Sequence, residues 1–253
     1  MTLSVSGDSI TFPDLSTQAS AQVGFKNKLI NSQGLINQRG VSGTVTLAAG
    51  IYGHDRFKAG ASGVTYTFAL SANVVTFTIT AGSLIQVVEG LNLQTGTFCL
   101  GWAGTAQGKI AAGSFAAAGV TASITGGTNT NIEFGTGTLS LPQLERGTTA
   151  TTFDYRDYGR ELIMCQRYYE IGDVVRGAPY VRPAGVNTTD ANCFATVQFK
   201  LTKRSTPSMS GNGSFASVTG WVDISVNEAS AALTANNGSG EAKIGNWVSS
   251  AEL

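Results

Sequence analysis

Between Gly60 and Ile132 the chain carries only two charged residues, Glu89 and Lys109, while apolar side chains alternate repeatedly with Thr and Ser. A strand sends successive side chains to opposite faces, so a period of two defines half-buried β-strands, whereas a helix needs apolar residues three and four apart. Thr65–Leu70 and Val74–Thr80 read as two such strands, joined by the hairpin-sized connection Ser71-Ala-Asn73. Further strands are expected at Ser83–Val88, Thr97–Gly101, Gly108–Ala112, Thr121–Thr125, Ile132–Phe134 and Thr138–Leu144, with Gly-rich breaks such as Gly126-Gly127. Short strands at this spacing predict a two-sheet sandwich or jelly roll, and hence an all-β fold class.

The texture changes after Phe153, where the run from Asp154 to Glu170 gathers charge. It contains the one good helix candidate: Leu162, Cys165 and Tyr169 fall at i, i+3 and i+7, and Asp157 is placed to cap the start. Beyond it, Cys193–Lys200 and Trp221–Val226 alternate again, and Asn212-Gly213 and Asn237-Gly238 are turn signals. The chain therefore divides into a leader or attachment segment over 1–23, a β-sandwich domain over 24–155, and a smaller β-rich domain over 156–253, with one short helix at the junction.

Charge excludes several function classes. Only 13% of the 253 residues are charged, and basic and acidic residues balance at 16 each. The balance is local as well, with seven of each sign up to Tyr155 and nine of each after it. A nucleic-acid binder or a polybasic membrane anchor needs clustered Lys and Arg, so neither nucleic acid nor membrane insertion is expected. The opening residues hold no basic, apolar signal pattern, and no window approaches the roughly 18 apolar residues of a membrane span. Cys99, Cys165 and Cys193 are widely spaced, form no CxxC and read as buried thiols, so no metal site is expected.

Catalytic signatures are equally thin. His54 is the only histidine, and no GxSxG elbow presents a serine to it. Gly104-Thr-Ala-Gln-Gly-Lys109 glances at a phosphate loop, but Ala103 stands where the first glycine belongs and Ile110 replaces the magnesium-binding hydroxyl. The acidic pairs Asp154 with Asp157 and Glu161 with Glu170 read as solvated or ion-paired groups around the helix rather than glycosidase carboxylates. No enzyme, catalytic residue or cofactor is expected. What remains is aromatic residues beside polar ones, the recipe by which sugar rings are stacked and their hydroxyls fixed. Tyr52, His54, Asp55, Arg56, Trp102, Tyr180 and Arg182 fit it as glycan-binding candidates, while Trp102 also reads as core and Asp55 with Arg56 also reads as a structural ion pair.

Two stretches carry a resemblance. Lys28-Leu-Ile-Asn-Ser-Gln-Gly-Leu-Ile-Asn-Gln-Arg-Gly40, followed by Tyr52-Gly-His-Asp-Arg-Phe57, resembles the opening of the carbohydrate-binding-type jelly roll of bacteriophage tail fibre and tail-tip proteins. Those openings run to Gln-Arg-Gly and then Ala-Asp-Arg-Trp; here His54 replaces Ala and Phe57 replaces Trp. Leu141-Pro-Gln-Leu-Glu-Arg-Gly-Thr-Thr-Ala-Thr-Thr-Phe-Asp154 with Glu161-Leu-Ile-Met-Cys-Gln-Arg-Tyr-Tyr169 is similar to the segment that closes this module and leads into the fibre tip. Val197–Pro207 resembles the tip strand that ends in an Arg-x-x-Pro turn, and Asp8–Gln18 looks like a repeated fibre segment, with Leu15 where that pattern has Gly.

The resemblance implies a viral protein of the virion, a trimeric fibre at the distal end of the phage tail, made in the host cytoplasm. It implies a homotrimer that binds host-surface polysaccharide during adsorption and meets other phage tail proteins through its N-terminal segment. A structural fibre or decoration protein without its own sugar site is the first alternative, and a polysaccharide-depolymerising tailspike the second. Because shared motifs keep a fold rather than a ligand, Arg167, Tyr168 and Tyr169 are expected to pack rather than bind sugar.

Overall fold

The computed structural model describes residues 4–6, 9–11, 17–18, 25–172, 175–179, 192–213, 216–222, 224–235 and 242–253. Within them the fold is all-β with one short helix, in three antiparallel sheets. Among the first residues, β1 (Ser4–Ser6), β2 (Ser9–Thr11) and β3 (Thr17–Gln18) pair in sequence order.

The large sheet comprises β4 (Val45–Leu47), β5 (Lys58–Ser71), β6 (Val74–Val88), β7 (Gly96–Ala103), β8 (Gly108–Ile110), β9 (Val120–Ile124), β10 (Thr130–Phe134) and β11 (Gly137–Arg146). Each strand expected from the alternation between Thr65 and Leu144 is present, whereas the one expected over Trp221–Val226 ends at Val222. The β5–β6 hairpin closes over two residues, Ala72 and Asn73, both with positive φ, the primed turn whose twist matches the flanking strands. The two stretches expected around Ala81 are one strand, β6, since Gly82 (φ 68) bends it without ending it.

Two layers arise because β11 changes partner. Gly137–Leu139 pair with β6, whereas Gln143–Arg146 pair with β7. The handover falls between Leu139 and Ser140, which already faces Ala103 on β7, and a register shift follows at Leu141 (φ 50) and Pro142, which has no N–H to give a ladder. Between the layers lies one core, with Leu29, Phe57, Tyr66, Phe77, Phe98, Ile132, Phe134 and Leu144 almost fully buried. Each such side chain contributes about 1.5–3 kcal/mol on leaving water.

After the sandwich come α1 (Tyr158–Gln166), β12 (Tyr169–Gly172), β13 (Val175–Pro179), β14 (Asn192–Gln198), β15 (Ser208–Gly213), β16 (Ala216–Val222), β17 (Glu228–Ala235) and β18 (Ala242–Ser250). The seven strands form one sheet in which β18 pairs with β12, β13 and β15. Asp157 is the N-cap in extended conformation, although its side chain makes no capping bond. Tyr169, expected on the helix, opens β12 instead. Asn212-Gly213 is not a turn: both residues lie in β15, opposite Gly245 and Ile244 on β18, just past a register shift. Asn237-Gly238 lies outside the described residues.

Candidate functional site

Four of the sugar candidates sit in one tight turn. Gly53 N–H donates to Phe57 O at 3.0 Å, Phe57 N–H donates to His54 O at 2.9 Å, and Arg56 takes φ 71. The turn points inward: His54, Asp55 and Arg56 are 1%, 0% and 1% exposed, which leaves them no face to offer a saccharide. Asp55 and Arg56 do not pair with each other, contrary to the ion-pair expectation. The Asp55 carboxylate accepts from Gln38 N–H (2.6 Å) and Gln38 Nε2 (2.7 Å), and Arg39 stands 3.9 Å away. Burial raises its pKa, and the two Gln38 hydrogen bonds oppose that rise. The Arg56 guanidinium lies 3.5 Å from the centroid of the Tyr168 ring, donates to Val87 O at 2.7 Å and pairs with Glu252.

Tyr52 completes the arrangement from the rim. Its hydroxyl donates to Leu253 O, which Lys58 Nζ also reaches at 2.7 Å. Burial, with Glu252 adding to it, pushes the Tyr52 pKa up to about 12. Arg39 stacks on the Tyr169 ring at 3.6 Å and meets Glu252 at 3.2 Å. These residues thus join the sandwich to the following β unit rather than line a cleft.

His54 packs edge-on against Phe68 and Phe77, with centroids 4.4 and 4.9 Å away, and its Nδ1 sits 3.1 Å from the Tyr66 hydroxyl. Burial lowers its pKa from 6.5 to about 4. The unfolded chain therefore takes up the proton first as pH falls, so stability present above the unfolded pKa of 6.5 is lost down to the folded value of about 4. The total loss is about 3 kcal/mol. Urea titrations from pH 7 to 4 should show that slope and show it flattened in His54→Phe, which keeps the aromatic packing; equal slopes in both proteins would refute the assignment.

The closing segment packs into the same joint. Glu161 accepts from Asn31 N–H and from Arg156 Nη1 at 2.9 Å, while Arg156 also donates to Leu29 O at 2.9 Å and to Asn27 O. Tyr168 OH donates to Glu89 at 2.7 Å, Arg167 meets Glu89 at 3.2 Å, and Gln38 Nε2 donates to Tyr169 O at 2.8 Å. Glu161 and Glu170 are thus ion-paired, the latter with Lys203, as the bland reading of the acidic pairs expects. Cys99 and Cys165 are buried free thiols whose pKa values burial raises.

Trp102 is half-buried: its Nε1–H donates to Ala106 O at 3.0 Å and its ring meets Phe134 edge-on at 5.4 Å. It also walls a cleft of about 310 Å³ with Leu141, Gln143 and Phe153. The two readings of Trp102, core and surface, both describe part of the ring. Tyr180 and Arg182 lie outside the described residues.

A larger cavity, about 600 Å³, opens elsewhere on the sandwich, lined by Ser62, Ser83, Gln107, Phe115, Glu133 and Thr136 among others. It forms where three irregularities coincide. Strand β5 leaves the ladder over 60–63, β6 bends at Gly82, and Gly135-Thr136 separates β10 from β11. A Cβ at Gly60 would stand 2.0 Å from Ser83 Oγ, so a larger residue there would force the Ser83 hydroxyl to move. Cross-strand pairing puts Glu133 on β10 directly opposite Lys109 on β8, with Nζ 2.9 Å from the carboxylate. Among the described residues, none of the expected sugar candidates lines this cavity. The one sequence signal for it is the isolation of Lys109 and Glu133 in nearly uncharged strands.

The geometry defines a β-sandwich coupled through a buried charged joint to a second β unit, with an open polar and aromatic cavity on the sandwich. Compared with known protein families, curated proteins and solved structures, the chain has no match.

Proposed function

We propose that this chain is a bacteriophage tail fibre protein that binds host-surface polysaccharide as a homotrimer. The observation that carries the reading is the joint: the opening stretch from Lys28 to Phe57 and the closing stretch from Leu141 to Tyr169, which resemble such fibres independently, are one unit in space. Asn31 bonds Glu161, Arg156 bonds Asn27 and Leu29, and Arg56 stacks on Tyr168. Motifs that hold a joint persist while the sugar contacts around them vary, which supports a fibre that keeps its architecture and changes its receptor. Trimerisation suits a chain with few charges, because apolar strand faces can be covered by two neighbours, and three weak sites then gain avidity.

The experiment is sedimentation of the full chain at micromolar concentration, with pull-down by host cell envelopes. A trimer that adsorbs is expected; a monomer that adsorbs to no envelope overturns the reading. The burial of His54, Asp55 and Arg56, with Tyr52 half-buried beside them, favours one alternative, a structural fibre protein without its own sugar site. That alternative gains if the trimer forms and no envelope or glycan is bound.

A further inference from the structure

We propose that the cavity at the β5 bulge is the saccharide subsite and that it takes an uncharged sugar unit. The inference rests on the glycan-binding reading above and names both a place and a ligand class for it.

The place follows from what converges there. Phe115 is 39% exposed at the cavity wall, a large apolar ring held open to water. Burying a sugar's C–H face on it removes apolar surface from both partners. Beside the ring stands Glu133, and the carboxylate is fixed from two sides: Ser83 Oγ donates to Oε1 at 2.6 Å, and Lys109 Nζ meets Oε2 at 2.9 Å. Lys109 in turn lies 4.7 Å from the Phe115 centroid, so the ring, the amine and the carboxylate position one another. A carboxylate oriented in advance still has lone pairs to accept from ligand hydroxyls, and loses little rotamer freedom when it does so. The Gln107 amide, the Ser62 hydroxyl and the Thr136 hydroxyl face the same space, and among the described residues no side-chain hydrogen bond engages them. Apolar wall, oriented acceptor and uncommitted donors are the components of a small-ligand site, and the cavity's volume lies within the usual range of about 300–1,000 Å³.

The ligand class follows from the charge. Glu133, which lines the cavity, is neutralised by Lys109 beside it, and among the described residues no other ionised side chain lines the cavity. A uronic or sialic acid would set its carboxylate against Glu133, and a cationic amino sugar would bring a second ammonium beside Lys109 on the same carboxylate. A neutral hexose meets neither obstacle. Its hydroxyls donate to Glu133 and exchange hydrogen bonds with Gln107, and its C–H face lies on Phe115.

The test uses the full chain and two variants, Phe115→Ala and Glu133→Gln, with binding measured to neutral, uronic-acid-containing and amino-sugar oligosaccharides, and adsorption to host envelopes measured in parallel. Binding of a neutral oligosaccharide is expected, weakened about tenfold or more by Phe115→Ala and by Glu133→Gln, with thermal unfolding of Phe115→Ala close to wild type because the ring is exposed. Preference for acidic or amino sugars overturns the ligand class. Adsorption and glycan binding that survive both substitutions overturn the site while the fibre reading stands. Wild-type protein that binds neither envelope nor any oligosaccharide overturns both.

Discussion

Arg56→Met should cost about 3–5 kcal/mol of stability, because it leaves a buried carboxylate without its nearest cation. The Arg56 side chain is 1% exposed and that of Glu252 7%, so solvent cannot take over the vacated position cheaply. Three contacts disappear together: the pair with Glu252, the hydrogen bond to Val87 O, and the stack on Tyr168 at 3.5 Å. Desolvated cation–π contacts alone reach about 2 kcal/mol. Arg39, 3.2 Å from Glu252, limits the damage without removing it, since it is already engaged with the Tyr169 ring. Adding Glu252→Gln should restore part of the loss, as expected when two residues in contact share one interaction. Denaturant unfolding of the four proteins in this cycle measures the coupling; a single-variant loss below about 1 kcal/mol would mean the pair is solvated.

The same contacts explain where a sparsely charged chain puts its charges. Glu89, Arg156, Glu161 and Arg39 face the joint rather than open surface, and Arg167 reaches it from a partly exposed position. Buried pairs are screened far less by salt than exposed ones, so a joint built this way keeps its geometry across ionic strengths.

The sandwich was legible because strand alternation is a local signal: Val75, Phe77 and Ile79 are buried while Thr76 and Thr78 are only partly so, as a period of two requires. The helix was legible in place but not in character. Leu162 is half-buried and Tyr169 belongs to β12, while the face that packs inward carries Glu161, Cys165 and Gln166. A hydrophobic period cannot report a helix that docks by ion pairs, because its inward residues look like surface. The burial of His54, Asp55 and Arg56 was hidden for the same reason: aromatic and charged side chains form both wet binding sites and dry joints, and only burial separates them. The cavity was hidden because its parts, Ser83, Phe115 and Glu133, come from distant points and meet only through the β6 bend and the β5 bulge. Asn212-Gly213 shows tertiary pairing overriding a turn signal, since β18 supplies partners for both residues.

Lys203→Met should likewise destabilise the protein by about 3–5 kcal/mol, here in the second β unit. Lys203 and Glu170 side chains are both 0% exposed, and Nζ also donates to Gln166 O at the end of the helix. Removing the amine strands two acceptors at once, a carboxylate to which, among the described residues, only the Lys200 N–H at 3.3 Å is left, and a helix-terminal carbonyl. Glu170 lies next to Tyr169 at the start of β12, so water entering to solvate it would open the strand that follows the helix. The double variant Lys203→Met with Glu170→Leu removes both charges and the need to solvate either, and should return most of the lost stability, because a buried pair replaced by apolar groups of similar volume is often neutral. Urea midpoints of wild type, both single variants and the double variant decide it. Losses that simply add would show that the two groups are solvated independently and that no buried pair ties Lys203 to the start of β12.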